Sequence, residues 1–141
     1  MSSMLFGHDE VVAEWVGRKV GKPFQPPFTA IGVIDQDGTL RGGFVFNNHQ
    51  EGAAIEVSLA GPASISRGAW RGVLSYVFDQ LGCKRLSMHT RKSNKAVRKL
   101  APRLGLHFEG VARCLYGDED GLCYSLTAND LAPFRSRWKL G

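Results

Sequence analysis

Nucleophiles, metal ligands and anion-binding loops are the residue patterns that announce chemistry most directly, and this chain begins several without completing them. Its cysteines, Cys83, Cys114 and Cys123, are odd in number. Their spacing fits neither a disulfide framework nor a paired zinc knuckle, so reduced thiols are expected. The histidines His8, His49, His89 and His107 are scattered; local spacing builds no H-E-x-x-H helix and no His/carboxylate cluster, and no metal is expected. His8-Asp9-Glu10 matches half of a zinc deaminase signature, but the P-C-x-x-C half is absent. Gly17 to Pro23 mimics a phosphate-binding P-loop, yet it is one residue short and places Pro23 where Ser or Thr should follow the lysine.

Charge placement is more informative. Between Gln80 and Phe108 there is no Asp or Glu, while Lys84, Arg85, Arg91, Lys92, Lys95, Arg98, Lys99 and Arg103 fall inside that window. Arg135, Arg137 and Lys139 flank Trp138 near the C-terminus. A one-sign stretch raises the local concentration of polyanions, whether nucleic acid, an acidic lipid surface or a phosphorylated cofactor. A solvated helix face with acidic neighbours supplied from elsewhere in the fold is the competing account.

The elements that must position these groups can be read from periodicity. With 141 residues, one domain over 1–141 is expected. Apolar residues at 43% and charged residues at 22% suit a globular chain, and no apolar run approaches the ~20 residues of a membrane span. The first ten residues lack the basic and apolar regions of a signal peptide, which points to a cytoplasmic protein. Asp9 is expected to cap a helix over 10–19, with Val11, Val12, Trp15 and Val16 on one face. Residues 28–35 and 39–47 read as strands joined by a turn ending in Asp37-Gly38, and 53–60 alternates as a third strand. A helical period through Trp70, Val73, Leu74, Val77, Phe78 and Leu81 is stopped by Gly82. Leu86 and Met88 mark a short strand. Ser93 then caps a helix that turns Ala96, Val97 and Leu100 inward and ends at Gly105. Residues 106–116 and 122–127 close the order as two strands. The fold class is α/β or α+β with a mixed sheet.

This order resembles the GNAT acetyltransferase family, and the local match is strongest over residues 52–127. Asn94-Lys95-Ala96-Val97-Arg98-Lys99-Leu100 followed by Leu104-Gly105-Leu106 is similar to the family's N-x-x-A/S helix ending in L-G-F. Phe108-Glu109-Gly110-Val111-Ala112-Arg113 resembles the F-x-E-G-x-x-R run of the branch with ribosomal-protein and phage-type acetyltransferases. Ser75-Tyr76-Val77-Phe78, Leu81-Gly82 and Arg85-Leu86 resemble that branch's D-Y-A-F, L-G and R-V segments. One segment departs. The family's Q/R-x-x-G-x-G/A pyrophosphate loop falls on Gly61-Pro62-Ala63-Ser64-Ile65-Ser66, so glycine replaces the amide or basic residue and serines replace both small positions.

The resemblance implies a GNAT-like fold and transfer of an acetyl group from acetyl-CoA to a primary amine, on a small molecule or a protein. A catalytically weakened protein that binds coenzyme A or nucleic acid is the alternative. It places the pantetheine arm along Val57, Ser58 and Leu59, with main-chain N–H groups near Leu59 facing the thioester carbonyl. Ser64, Ser66 and the helix N-terminus through Arg67 and Gly68 would hold the diphosphate, with charge from Arg67 and Arg71. Ordinary helix capping explains both serines without a ligand. Asn94 would meet the pantetheine arm or simply cap its helix. Arg98, with Lys92 and Lys99, would meet the adenosine phosphates. Glu56 is the candidate base for an amine whose pKa is ~8 to ~10.4; it is equally the polar half of an alternating strand. The family's proton-donating tyrosine falls on Ala101, so Tyr116 or Tyr124 would substitute unless both are sheet aromatics. No membrane partner is expected; nucleic acid and a second copy of the chain are secondary candidates.

Overall fold

A computed structural model describes residues 3–141. The chain forms β1 (Ser3–Leu5), α1 (Asp9–Val20), β2 (Phe28–Ile34), β3 (Leu40–Gln50), β4 (Ala54–Ala60), α2 (Arg67–Leu74), β5 (Arg85–Arg91), α3 (Lys95–Leu100), β6 (His107–Ala112), β7 (Gly121–Thr127) and α4 (Ala128–Leu131). The strands make one mixed seven-stranded sheet in the order β1-β2-β3-β4-β5-β7-β6, with only the central β4–β5 pair parallel. No helix among the described residues is long and apolar enough to cross a membrane.

Strand alternation sends two sets of apolar side chains to opposite faces. Phe44, Phe46, Ile55, Val57, Leu86 and Met88 meet Trp70, Val73 and Leu74 of α2. Val45, Ala30 and Ala60 meet Val12, Ala13 and Val16 of α1. Trp70 is fully buried, and its indole N–H donates to the Leu104 carbonyl at 3.2 Å, so its polar edge is satisfied within the core. The helix expected over 70–81 is instead α-helical only to Leu74 and continues as a π-turn, Ser75–Gln80. That turn sets Tyr76 edge-on to Phe46 at 4.9 Å and brings its hydroxyl within 3.1 Å of Thr29 Oγ1.

Two expected caps are corrected. His8, not Asp9, is the N-cap of α1 and makes no side-chain bond, while Asp9 sits in the first turn where its charge opposes the helix dipole's positive end. Asn94, not Ser93, caps α3, its Oδ1 accepting from Val97 N at 3.1 Å. Ala96 is exposed instead of inward-facing, and α3 buries no residue fully. The strand expected to reach 116 stops at Ala112, because Cys114 takes φ 55° and its N–H bonds Asp120 Oδ1. Tyr124 belongs to the core and packs edge-on against Phe108.

On the face of β5, β7 and β6 that α1 leaves uncovered, Arg85 donates two bonds to Glu109, at 2.8 and 2.6 Å, and Ser125 Oγ donates a third at 2.8 Å. These bonds, the Arg85 pair foremost, hold the Glu109 carboxyl down at about 2 against an ordinary 4.5. A depressed folded-state pKa stabilises the fold above the unfolded value and loses that contribution as pH falls. Glu109→Gln is therefore expected to flatten the fall in melting temperature between pH 4.5 and 2. An acid limb as steep as the parent's would show that Glu109 does not contribute to it.

Candidate active-site cleft

β4 and β5 are paired only as far as Val57↔Met88. Beyond that point β4 continues to Ala60 along β3, and β5 continues to Arg91 along β7. The two central strands therefore part, and the β5-facing backbone edge of Ser58, Leu59 and Ala60 loses its strand partner. A cleft of about 480 Å³ opens there, lined by Glu56, Ser58, Leu59, Ala60 and Gly61 from β4 and by Met88, His89, Thr90 and Arg91 from β5. Asn94 at the cap of α3, Ala96 and Val97 of α3, Tyr116, and Lys19, Val20 and Lys22 at the end of α1 complete it.

Alternation gives this cleft two sides. Glu56, Ser58, His89 and Arg91 lie on the α1 face of the sheet, whereas Leu59, Met88 and Thr90 lie on the α2 face with α3. On the α1 side His89 Nδ1 is 3.0 Å from Glu56 Oε1, and both side chains are mostly covered, 28% and 15% exposed. Asn48 Nδ2 makes a long 3.5 Å contact with the other carboxylate oxygen. The hydrogen bond from His89 holds the Glu56 carboxyl below its ordinary value; burial opposes this, and the nearby Lys22 and Asn48 add to it. A carboxylate at Nδ1 fixes that ring proton and leaves Nε2 as the acceptor of the neutral imidazole. Arg91 lies over the Tyr116 ring at 4.5 Å and pairs with Glu119 at 3.3 Å. Burial, with Glu56 and Glu119 adding to it against Arg91, pushes the Tyr116 phenol up, so it keeps its proton at neutral pH.

At the far end of β4 the departing loop is built on Gly61, at φ 87°. Ser64 Oγ donates to the Gly61 carbonyl at 2.7 Å, and Ser66 Oγ accepts from Ala69 N at 3.2 Å. Both hydroxyls are thus engaged in turn and cap. The first-turn amides of Arg67 and Gly68 are the donors that such a cap leaves free, and a Cβ on Gly68 would meet nothing within 4 Å, so the ground outside this turn is open. The Arg67 and Arg71 guanidinium groups point elsewhere. Arg67 donates to the Arg137 carbonyl and lies 5.1 Å over the Trp138 ring; Arg71 donates to the carbonyls of Trp138 and Lys139. Arg98 donates to the Lys92 carbonyl and, with Lys92, Lys95 and Lys99, lines a separate groove alongside Phe108 and Tyr124.

Of the residues singled out in the sequence, Glu56, Ser58, Leu59, Asn94 and Tyr116 converge on the cleft, while Val57 is buried beneath it. Ser64, Ser66, Arg67, Gly68 and Arg71 cluster at the loop end, and Arg98 stands apart. His89, Arg91, Lys19 and Lys22 were not singled out as site residues. For His89 the signal is the neighbour relation of β4 to β5: Glu56 registers with Ser87, which puts His89 diagonally beside it on the same face. No group of three or more potential metal ligands occurs among the described residues.

No protein-family model matches the chain, and no curated protein is detectably similar to it. Solved structures are. Mutant forms of the spermidine/spermine N-acetyltransferase SpeG from Vibrio cholerae align with a TM-score of 0.74 at 11% identity over 94% of this chain and 98% of theirs. A ribosomal-protein-S5-alanine acetyltransferase from Vibrio fischeri aligns with a TM-score of 0.68 at 16% identity over 92% and 93%. A protein described as a probable acetyltransferase aligns with a TM-score of 0.63 at 24% identity; the match covers 74% of this chain and 63% of that one. The fold is that of the GNAT acyl-CoA N-acyltransferases.

Proposed function

We propose that the protein is an acetyl-CoA-dependent N-acetyltransferase acting on a primary amine. The observation that carries this reading is the parting of β4 from β5 beside a Glu56–His89 pair. An exposed strand edge offers main-chain donors and acceptors to an extended amide chain, and a pantetheine arm has that chemistry. The loop end offers the amides of Arg67 and Gly68 to a diphosphate. The guanidinium donors of Arg67 and Arg71 serve the C-terminal segment, so these arginines contribute charge and not direct bonds. When bound, acetyl-CoA supplies an acyl thioester.

The chain's own groups then divide the remaining work. Amines are largely protonated at neutral pH, and a positioned side chain must accept that proton before the nitrogen can attack. His89 Nε2 is that acceptor, with Glu56 holding the ring's tautomer and stabilising the imidazolium that forms. Main-chain N–H groups near Leu59 donate to the carbonyl oxygen as charge develops on it. Tyr116, kept neutral, returns a proton to the departing thiolate in place of the residue that Ala101 replaces.

The reading is tested by titrating acetyl-CoA against thermal unfolding while following thiol release with amines. Stabilisation of about 2.7 kcal/mol is expected when ligand exceeds its Kd a hundredfold. An unchanged melting temperature at millimolar acetyl-CoA would sink the reading.

A further inference from the structure

The acceptor side of the cleft carries the wrong sign for a plain polyamine. Lys19, Lys22 and Arg91 line it against a single carboxylate, Glu56, which is already committed to His89. Arg91 is shared with Glu119 at 3.3 Å and Lys19 lies 5.4 Å over Trp15. Lys22 is half-buried, and no carboxylate stands within 4 Å of it among the described residues. Its ammonium is therefore open to a ligand that brings an anionic group as its counter-ion.

That counter-ion is not the cofactor's diphosphate. Lys22 acts on Glu56, whereas the phosphate-binding turn begins at Gly61, roughly 16 Å further along the strand at ~3.3 Å per residue. We infer that the acceptor is an amine that also carries an anionic group, a carboxylate or a phosphate, seated by Lys22 and Arg91 while its nitrogen faces His89. This rests on the acetyltransferase reading and adds the acceptor's charge to it. A cationic acceptor would meet Lys19 and Lys22 there, with Arg91 only partly offset by Glu119 and Glu56 committed to His89, and like-charge juxtaposition selects against it.

The test compares L-glutamate, O-phosphoethanolamine, ethanolamine and spermidine as acceptors at saturating acetyl-CoA, with Lys22→Glu beside the parent. Transfer to one or both anionic amines is expected with kcat/KM at least tenfold above the other two, and the better of the pair identifies the anion as carboxylate or phosphate. Lys22→Glu is expected to cut that preference about tenfold and leave the KM for acetyl-CoA unchanged. Equal or better use of spermidine or ethanolamine overturns the inference while the acetyltransferase reading stands. So does a raised KM for acetyl-CoA in Lys22→Glu, or acetyl-CoA binding with transfer to none of the four. Absence of both transfer and acetyl-CoA binding overturns the two together.

Discussion

Replacing His89 with alanine is expected to lower kcat by ~10² to 10⁴, the usual weight of a general base, with little change in the KM for acetyl-CoA. Glu56→Gln is expected to cost less, because an amide oxygen can still accept from Nδ1 while only the charge opposite the imidazolium is lost. The order of the two effects is the informative quantity. Glu56 is a carboxylate held below its ordinary pKa chiefly by the His89 hydrogen bond, which makes it a weaker proton acceptor and a better anchor. A Glu56→Gln variant more damaged than His89→Ala would mean that the carboxylate takes the proton itself. A second readout separates a positioning role from general disruption. With His89 gone, the largest influence lowering the Glu56 pKa disappears while burial continues to raise it. A carboxyl-selective NMR titration of His89→Ala should therefore show Glu56 titrating at higher pH than in the parent.

What could be read from sequence alone follows the range of the forces involved. The alternation of residues 53–60 and the helical period beginning at Trp70 are local, and both elements form close to those positions. Glu56, Asn94 and Tyr116 were legible as candidates through the resemblance of the second half of the chain. The His89 partnership was not, since it depends on which strand β4 adopts as its parallel neighbour, a contact made across a long connection. The destinations of Arg67 and Arg71 were hidden for the same reason. Their acceptors are carbonyls of Arg137, Trp138 and Lys139, in a segment with no periodicity whose Trp138 and Leu140 nonetheless pack against the core. Helix caps were displaced by single residues, which is the ordinary ambiguity at helix ends.

Gly61 shows how a departure from a family's pattern can be structural in origin. Where the GNAT loop carries an amide or a basic residue, this chain has glycine, and the omission reads as a lost ligand contact. The geometry gives a different cause. A Cβ at position 61 would lie 2.5 Å from the Arg41 carbonyl oxygen, 2.7 Å from the Trp15 ring and 2.9 Å from the Gly42 Cα. Two of those atoms are backbone of the β3 segment and cannot turn aside. The residue also sits at φ 87°, where a side chain adds ~1–3 kcal/mol of strain. Here α1 lies so close to the end of β4 that Trp15 occupies the space a side chain would need. Placing a GNAT-type residue there with Gly61→Gln is therefore expected to destabilise the protein by roughly 2–6 kcal/mol, combining that strain with ~1–3 kcal/mol of overpacking. Urea unfolding should show the loss as a lower midpoint at an unchanged slope. Where the variant remains folded, its affinity for acetyl-CoA should fall, because displacing the loop moves the Arg67 and Gly68 amides. Unimpaired stability together with tighter acetyl-CoA binding would show that the loop tolerates a side chain and that glycine there is a lost contact after all.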